Sequence, residues 1–356
     1  MTLDDLRLSI NKLDNELLEL LNKRMEYVQE VGKIKQNDGS AIYRPEREKE
    51  IIQRLCEQNQ GQLTEDAIEA IYMEIFAVSR NLELPEKVAY LGPEGSYSHQ
   101  AAESRFGAMS YYLPLSSIES VFKVLGNKEA KFGIVPIENN TDGAVGATLD
   151  CLKKYNSLIV AETYMDIHHS FATEVDDLKD VKRIYSHPQG YNQCKNFLEE
   201  HFLHEVEFIP TRSTSAAARR SKEDPSSAAI CSHIAAKLYK LPIHFEKIED
   251  NLANQTRFLI LSDFKNQKSE HDKTSILAQT EDRPGSLVDF LQSFQDIGIN
   301  LTKIESRPVK EKKFESIFFI DFKGHIEDEK IKTLIANSPN KIKWLGSYVS
   351  GEKDEI

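Results

Sequence analysis

Cysteine is scarce in this chain and tryptophan scarcer, with four and one among 356 residues. Cys56, Cys151, Cys194 and Cys231 lie far apart with no two-residue spacing, which excludes a zinc ribbon and a dense disulfide framework. Reduced thiols in a cytoplasmic protein are the simpler expectation. No run approaches the ~20 apolar residues of a membrane span. The first residues, Met-Thr-Leu-Asp-Asp-Leu-Arg, have no basic region followed by an apolar one, so a soluble, unexported chain without a membrane partner is expected. Positive charge is also short. The formal net charge is -12, and no cluster of four or more lysines or arginines offsets it, which argues against nucleic acid as a bulk partner. Pockets for small anions remain possible.

What the chain has is length and pattern. At 356 residues it should divide into two or three domains. Leu3, Leu6, Ile10, Leu13, Leu17, Leu20, Arg24, Tyr27, Val31 and Ile34 step by alternating threes and fours, the seam of a long packed helix. One cation interrupts that seam. Burying Arg24 unpaired would cost several kcal/mol, so an acidic partner or an anionic ligand should meet it. Lys35 lies about three turns further on nearly the same face. Arg7 sits roughly 25 Å away along the helix on another face. It is open to two readings, a solvated charge or a cation that an antiparallel second copy lays beside Arg24. Helices are expected again from Pro45 and after Thr64, where a hydroxyl cap precedes Glu65 and Asp66. Three helices alone make a thin core, so a second copy is the expected remedy.

From Val88 to about Asp263 short β-rich runs alternate with helical stretches: 88–91, 132–137, 158–161, 183–185, 206–209, 228–231 and 257–261. Glycine and hydroxyl residues gather where strands end, at Gly92–Ser98 and Asn139–Gly143, where open α/β sheets bind ligands. A polar stretch, Lys265 to Lys273, leads to a final module with the order β-α-β-β-α-β, which is ferredoxin-like.

Three resemblances follow from motifs. The first segment, 1–84, resembles the chorismate mutases of the all-helical class through Leu-Leu-Asn-Lys-Arg ending at Arg24, Val31-Gly32-Lys33-Ile34-Lys35, Tyr43-Arg44-Pro45-Glu46-Arg47-Glu48 and Ser79 with Glu83. The resemblance implies an intertwined dimer of three-helix chains. It also implies a dianionic substrate held by Arg24 and by Arg7 of the second copy, with Lys35 and Glu83 at the ether oxygen. Glu48 would accept the ring hydroxyl, assisted by Arg47, and Ser79 would line the pocket. Many relatives carry an amide at Glu83 and others an acid at Arg44. Glu83 must be protonated to donate, at roughly 3 to 4 kcal/mol at pH 7 for an unperturbed carboxyl. Mutase activity that falls as pH rises through neutrality is therefore expected, and a Glu83→Gln variant with the same profile would refute that role.

The second segment, 87–264, resembles prephenate dehydratase through Tyr90–Ser98, Val135–Asn139, Ser186-His187-Pro188-Gln189, Ser213–Ala217 and Thr256-Arg257-Phe258. The resemblance implies an α/β fold of two lobes, like a periplasmic binding protein, with the site between them. Thr256 is the expected catalytic hydroxyl, placed to hydrogen-bond the departing hydroxyl of the substrate, and Asn139 is a further site candidate. Arg257 and the amides around Ser213 and Thr214, at a helix start, are expected to hold carboxylates. Ser213 or Thr214 also suits an ordinary cap, Glu138 either the site or a brace, and His187 either the site or a turn. The last segment, 274–351, resembles ACT regulatory domains. Gly285, Ser286 and Leu287, with Glu305, Ser306, Arg307 and Pro308, match two phenylalanine-binding signatures, although Ser286 replaces the usual alanine. Joined, the three segments resemble enzymes that convert chorismate to prephenate and then to phenylpyruvate under feedback by L-phenylalanine, a reading that needs no metal and no organic cofactor. The rival is an amino-acid-sensing protein of the same folds that has lost catalysis. Homodimer and higher homo-oligomer both remain open.

Overall fold

The computed structural model describes residues 2–38, 45–83, 87–107, 109–141, 143–281, 283–308 and 316–351, with the backbone alone at 35–38, 45, 83, 308 and 316. The chain divides into two units, Met1–Glu86 with Phe106–Tyr111, and Lys87–Arg105 with Tyr112–Ile356. The first holds α1 (Leu3–Asp38), α2 (Pro45–Gln58) and α3 (Glu65–Glu83). Thr64 Oγ1 accepts the Ala67 N–H at 3.2 Å, so the hydroxyl does cap α3. Ile68, Phe76 and Ala77 form a small buried core. The seam of α1 is not part of it. Leu13 is 62% exposed and Leu20 65%, and every other apolar seam position is exposed too, while Arg24 among them is partly covered. The expectation of a packed seam therefore fails within one copy: α2 and α3 are too short to cover 36 residues of helix.

The second unit begins with a two-lobed body. Its first lobe contains β1 (Lys87–Leu91), α4 (Tyr97–Phe106), β2 (Tyr111–Leu115), α5 (Ile118–Gly126), β3 (Phe132–Asn139), β4 (Gly143–Ala144), α6 (Gly146–Lys154) and β5 (Leu158–Asp166). The second has β6 (Ser170–Thr173), β7 (Arg183–Ser186), α7 (Pro188–Asn192), α8 (Lys195–Glu200), β8 (Glu207–Pro210), α9 (Thr214–Glu223), β9 (Ser227–Cys231), α10 (His233–Leu238) and β10 (Ile243–Glu246). Then β11 (Gln255–Ser262) returns to the first lobe, giving the strand orders β2-β1-β3-β11-β5 and β10-β6-β9-β7-β8. Sequence pattern missed β2, β4, β6 and β10. Pro114 disqualifies β2 as a central strand, and it runs at a sheet edge, where the missing N–H does no harm. At the two crossings between lobes, Glu249 accepts from the backbone N–H of His169 at 2.8 Å and lies 2.6 Å from His168 Nδ1, so one buried carboxylate ties both connections.

The chain ends with β12 (Asp272–Gln279), α11 (Ser286–Asp296), β13 (Leu301–Pro308), β14 (Ser316–Lys323), α12 (Glu329–Asn337) and β15 (Lys341–Val349), in the antiparallel order β13-β14-β12-β15 expected of a ferredoxin-like sheet. Strand alternation gives this sheet two apolar faces. Ile276, Ala278, Ile320 and Phe322 pack under α11 and α12 with Phe290 and Phe294. Leu277, Phe319, Leu345 and Tyr348 instead join Val121, Phe122, Val135, Leu149 and Leu259 of the first lobe in one continuous core. Gly346 shows how close the approach is, since a Cβ there would lie 2.1 Å from the Ile159 carbonyl oxygen and its φ is +155°.

Candidate active sites

In the helical unit the spacing of α1 and α3 brings Arg24 and Ser79 together. Arg24 Nη1 donates to Ser79 Oγ at 2.6 Å, and its guanidinium lies 5.8 Å from the Phe76 ring centroid. Glu48 is buried on α2 and pairs with Arg80, also buried, one residue beyond Ser79. Arg47, expected to assist Glu48, instead meets Glu50 at 3.0 Å in solvent, because i and i+3 share a helix face. Arg80 was not singled out in the sequence. A basic residue beside the Ser79 position was the signal available for it. Arg7 is 67% exposed and 3.6 Å from Asp4. At 1.5 Å of rise per residue it stands roughly 25 Å from Arg24, so one chain does not bring them together. Arg44 lies outside the described residues, as do the side chains of Lys35 and Glu83.

In the two-lobed body, β11 and β3 are antiparallel neighbours with Thr256 opposite Asn139 and Arg257 opposite Glu138. Asn139 Nδ2 donates to Thr256 Oγ1 and to Asn254 Oδ1, both at 2.8 Å. The threonine oxygen thus accepts from an amide, which leaves its own proton for donation. On the second lobe, Ser213 caps α9, with Oγ accepting the Ala216 N–H at 3.0 Å, so the ordinary cap is realised there. The starts of α9 and α10 meet the Gly92–Ser98 loop of the first lobe: Ser215 of α9 donates to the Glu94 carbonyl, and Ser232, the cap of α10, donates to the Gly95 carbonyl at 2.9 Å. Gly95 is needed for this approach. Its φ is +78° and a Cβ would lie 2.9 Å from Ser215 Oγ. His187 caps α7, with Nδ1 accepting the Gln189 N–H at 3.3 Å.

Arg257 differs from expectation. Only 3% exposed, it donates from Nε to Glu162 at 2.7 Å, from Nη1 to Asp321 at 2.6 Å and Glu138 at 3.1 Å, and from Nη2 to Tyr348 at 3.1 Å. Consecutive strand residues point to opposite faces, so the pair that sets Thr256 beside Asn139 turns Arg257 and Glu138 away from them. Its guanidinium therefore meets protein carboxylates. Lys273 joins Glu162 at 2.9 Å and Lys303 joins Glu138, giving three cations against three carboxylates. Burial alone would raise the Glu138 carboxyl, but Lys303 and Arg257 outweigh it and hold it below its ordinary value.

The two signatures of the last module lie on different elements. Gly285 takes φ +84° before α11, with Ser286 buried and Leu287 half-buried in its first turn. Glu305 and Ser306 lie on β13, the end strand of its sheet. Arg307 lies over Gly146 and pairs with Asp150 of α6 at 3.2 Å. The side chain of Pro308 is outside the described residues. Among the described residues no group of three His, Cys, Asp or Glu is arranged to hold a metal, and no helix is long and apolar enough to cross a membrane.

Comparison with known proteins follows the same division. Family models match in chain order: chorismate mutase type II over residues 6–84, prephenate dehydratase over 88–266 and the ACT domain over 274–339. A bifunctional chorismate mutase/prephenate dehydratase of Pseudomonas aeruginosa is 38% identical across 96% of both chains, and one of Aquifex aeolicus is 38% identical across 97% of both. Among solved structures, prephenate dehydratase from Arthrobacter aurescens in complex with L-Phe aligns with a TM-score of 0.68 at 31% identity, covering 74% of this chain and 90% of that one. Matched in all three segments and aligned with relatives almost end to end, the chain belongs to the bifunctional chorismate mutase/prephenate dehydratase family.

Proposed function

We propose that the helical unit rearranges chorismate to prephenate and that the two-lobed body converts prephenate to phenylpyruvate, with L-phenylalanine as the inhibiting effector. The first reaction is pericyclic: one C–O bond breaks while one C–C bond forms, and no nucleophile is required. Holding the substrate in its folded conformer and placing a cation at the ether oxygen are the available levers. Arg24, Lys35, Glu48, Ser79 and Glu83 of one chain, with Arg7 of a second copy, supply them. Arg47, in the first turn of α2, and Arg44 add to substrate binding. Arg80, which holds Glu48, takes the orienting role that sequence reasoning gave to Arg47. The exposed leucines of α1 and the exposed Arg7 support a homodimer built on α1, in which Arg7 of a second copy would reach Arg24.

In the second reaction the C–C bond to the ring carboxylate breaks, its electrons enter the ring, and the ring hydroxyl leaves with a proton as water. The products are phenylpyruvate, carbon dioxide and water. The observation that carries this reading is the 2.8 Å bond from Asn139 Nδ2 to Thr256 Oγ1. It fixes the hydroxyl as an acceptor on one side and so presents its proton to the departing oxygen. The first-turn amides at Ser213 and Thr214 suit a carboxylate. Effector binding at Gly285, Ser286, Leu287, Glu305, Ser306, Arg307 and Pro308 completes the reading. Reduced thiols suit a cytoplasmic enzyme. Phenylpyruvate formation should be followed from chorismate and, separately, from prephenate, with and without L-phenylalanine. Product from both, suppressed by the amino acid, is expected. Product from prephenate alone would remove the mutase assignment, and ligand binding without turnover would favour the sensor reading.

A further inference from the structure

The strand that carries Glu305–Pro308 does more than pair with β14. Lys303, Glu305 and Arg307 alternate along β13 and so share one face. Two of the three grip the first lobe: Lys303 pairs with Glu138 at the end of β3, and Arg307 pairs with Asp150 while lying over Gly146 at the start of α6. Between these points runs the segment that includes Asn139. Lys343 of β15 closes the far end of α6, donating to the carbonyls of Leu152 at 2.8 Å and Tyr155 at 2.5 Å, where a helix leaves acceptors unsatisfied. The 138–155 segment is thus held at three points by the last module.

We propose that Lys303 is a positioning residue for the dehydratase reaction, fixing Glu138 from behind so that its neighbour Asn139 holds the Thr256 hydroxyl in place, and that an effector engaging β13 is felt at Thr256 through this ion pair. The inference rests on Thr256 and Asn139 being the dehydratase site. Glu138 is the register partner of Arg257, as Asn139 is of Thr256. A shift of the Glu138 carboxylate displaces the backbone that carries Asn139. Lys303 touches no substrate in this scheme. Its effect appears in turnover rather than in affinity.

The test uses the full chain. Lys303→Met should lower dehydratase kcat about tenfold or more, within the roughly hundredfold that about 1 Å of misplacement costs. The KM for prephenate should stay within about twofold, the pattern of an interaction lost in the transition state and not in binding. Mutase turnover should be unchanged, Lys303→Arg should retain most of the dehydratase turnover, and inhibition by L-phenylalanine should weaken in Lys303→Met while calorimetry still records its binding. Wild-type kcat in Lys303→Met overturns the proposal, as does a loss carried mainly in KM or an equal loss in the Met and Arg variants. Should Lys303→Met fail to fold, Lys303→Arg decides alone: near-wild-type kcat supports the grip and a tenfold loss sinks it. Thr256→Val, assayed alongside, separates the two readings, because an unimpaired Thr256→Val removes the site assignment rather than the grip.

Discussion

Replacing Arg257 by methionine, which keeps length and removes charge, should destabilise the second unit more than any other single change in the cluster. The magnitude follows from what each carboxylate retains. Glu162 keeps Lys273 at 2.9 Å and the Gly351 N–H at 2.9 Å, and Glu138 keeps Lys303. Asp321 is fully buried and retains the Ser275 hydroxyl at 2.5 Å, without a cation in the bonds that hold it. Breaking a buried pair from one side costs about 3 to 5 kcal/mol. At ~2 to 3 °C per kcal/mol for a unit of this size, the thermal midpoint should fall by roughly 6 to 15 °C. Asp321 also sets a pH signature. Burial already pushes its carboxyl above the ordinary value against the pull of Arg257, and removing the guanidinium pushes it further. A group whose folded value is raised stabilises below its unfolded value and loses that contribution as pH rises through the folded one. The deficit of Arg257→Met should therefore be smaller near pH 5 than near pH 8. Scanning calorimetry on wild type and variant at both values measures it. A midpoint shift under about 2 °C, together with a raised KM for prephenate, would refute the cluster argument and return the guanidinium to the substrate.

Four further outcomes are expected. Thr256→Val should lower dehydratase kcat about a hundredfold or more, the scale of one lost transition-state donor, with mutase turnover intact; a smaller loss than that of Asn139→Ala would move the donor role away from Thr256. Burial pushes His169 below its ordinary value, so its folded form takes a proton later than the unfolded chain does. Stability should be complete above pH ~6.5 and decline as pH falls from there, more steeply than in His169→Gln; parallel declines would count against it. Burial pushes Cys194 up and Cys231 up to about 12, and Cys151 is buried as well, so a thiol reagent at pH 8 should find Cys56 alone before unfolding and all four after. Leu13→Glu on the exposed seam should reduce a sedimenting dimer and abolish mutase turnover, at about 1 kcal/mol or more per leucine left uncovered, while dehydratase turnover persists; an unchanged oligomer would show that α1 is not the interface.

The sequence was legible where a pattern is long or local. Ten seam positions announced α1, Thr64 announced the cap of α3, and alternating runs announced most strands of the two-lobed body. Motif resemblance singled out Thr256 and Asn139 as site candidates, although no local pattern says that residues 117 apart will share a hydrogen bond. The partners of Arg257 were not legible. Glu162, Asp321 and Tyr348 stand 95, 64 and 91 residues away, and a Thr-Arg-Phe strand reads the same whether its arginine faces a ligand or a carboxylate. The bare seam of α1 could be read as packed because periodicity reports which face is apolar, and is silent on what covers it. Pro114 hid β2 by breaking the rule for central strands at an edge where that rule does not apply.

The continuous core beneath the last sheet has a consequence for anyone who would build chimaeras from these enzymes. Leu277, Phe319, Leu345 and Tyr348 are floorboards of the dehydratase lobe as much as parts of a sensor. A sensor module transplanted from an unrelated protein would bring the wrong underside, with a side chain where Gly346 admits the Ile159 carbonyl and no lysine to finish α6. Exchange between relatives should succeed only when that underside travels with its matching lobe, so the two halves are inherited as one fitted piece.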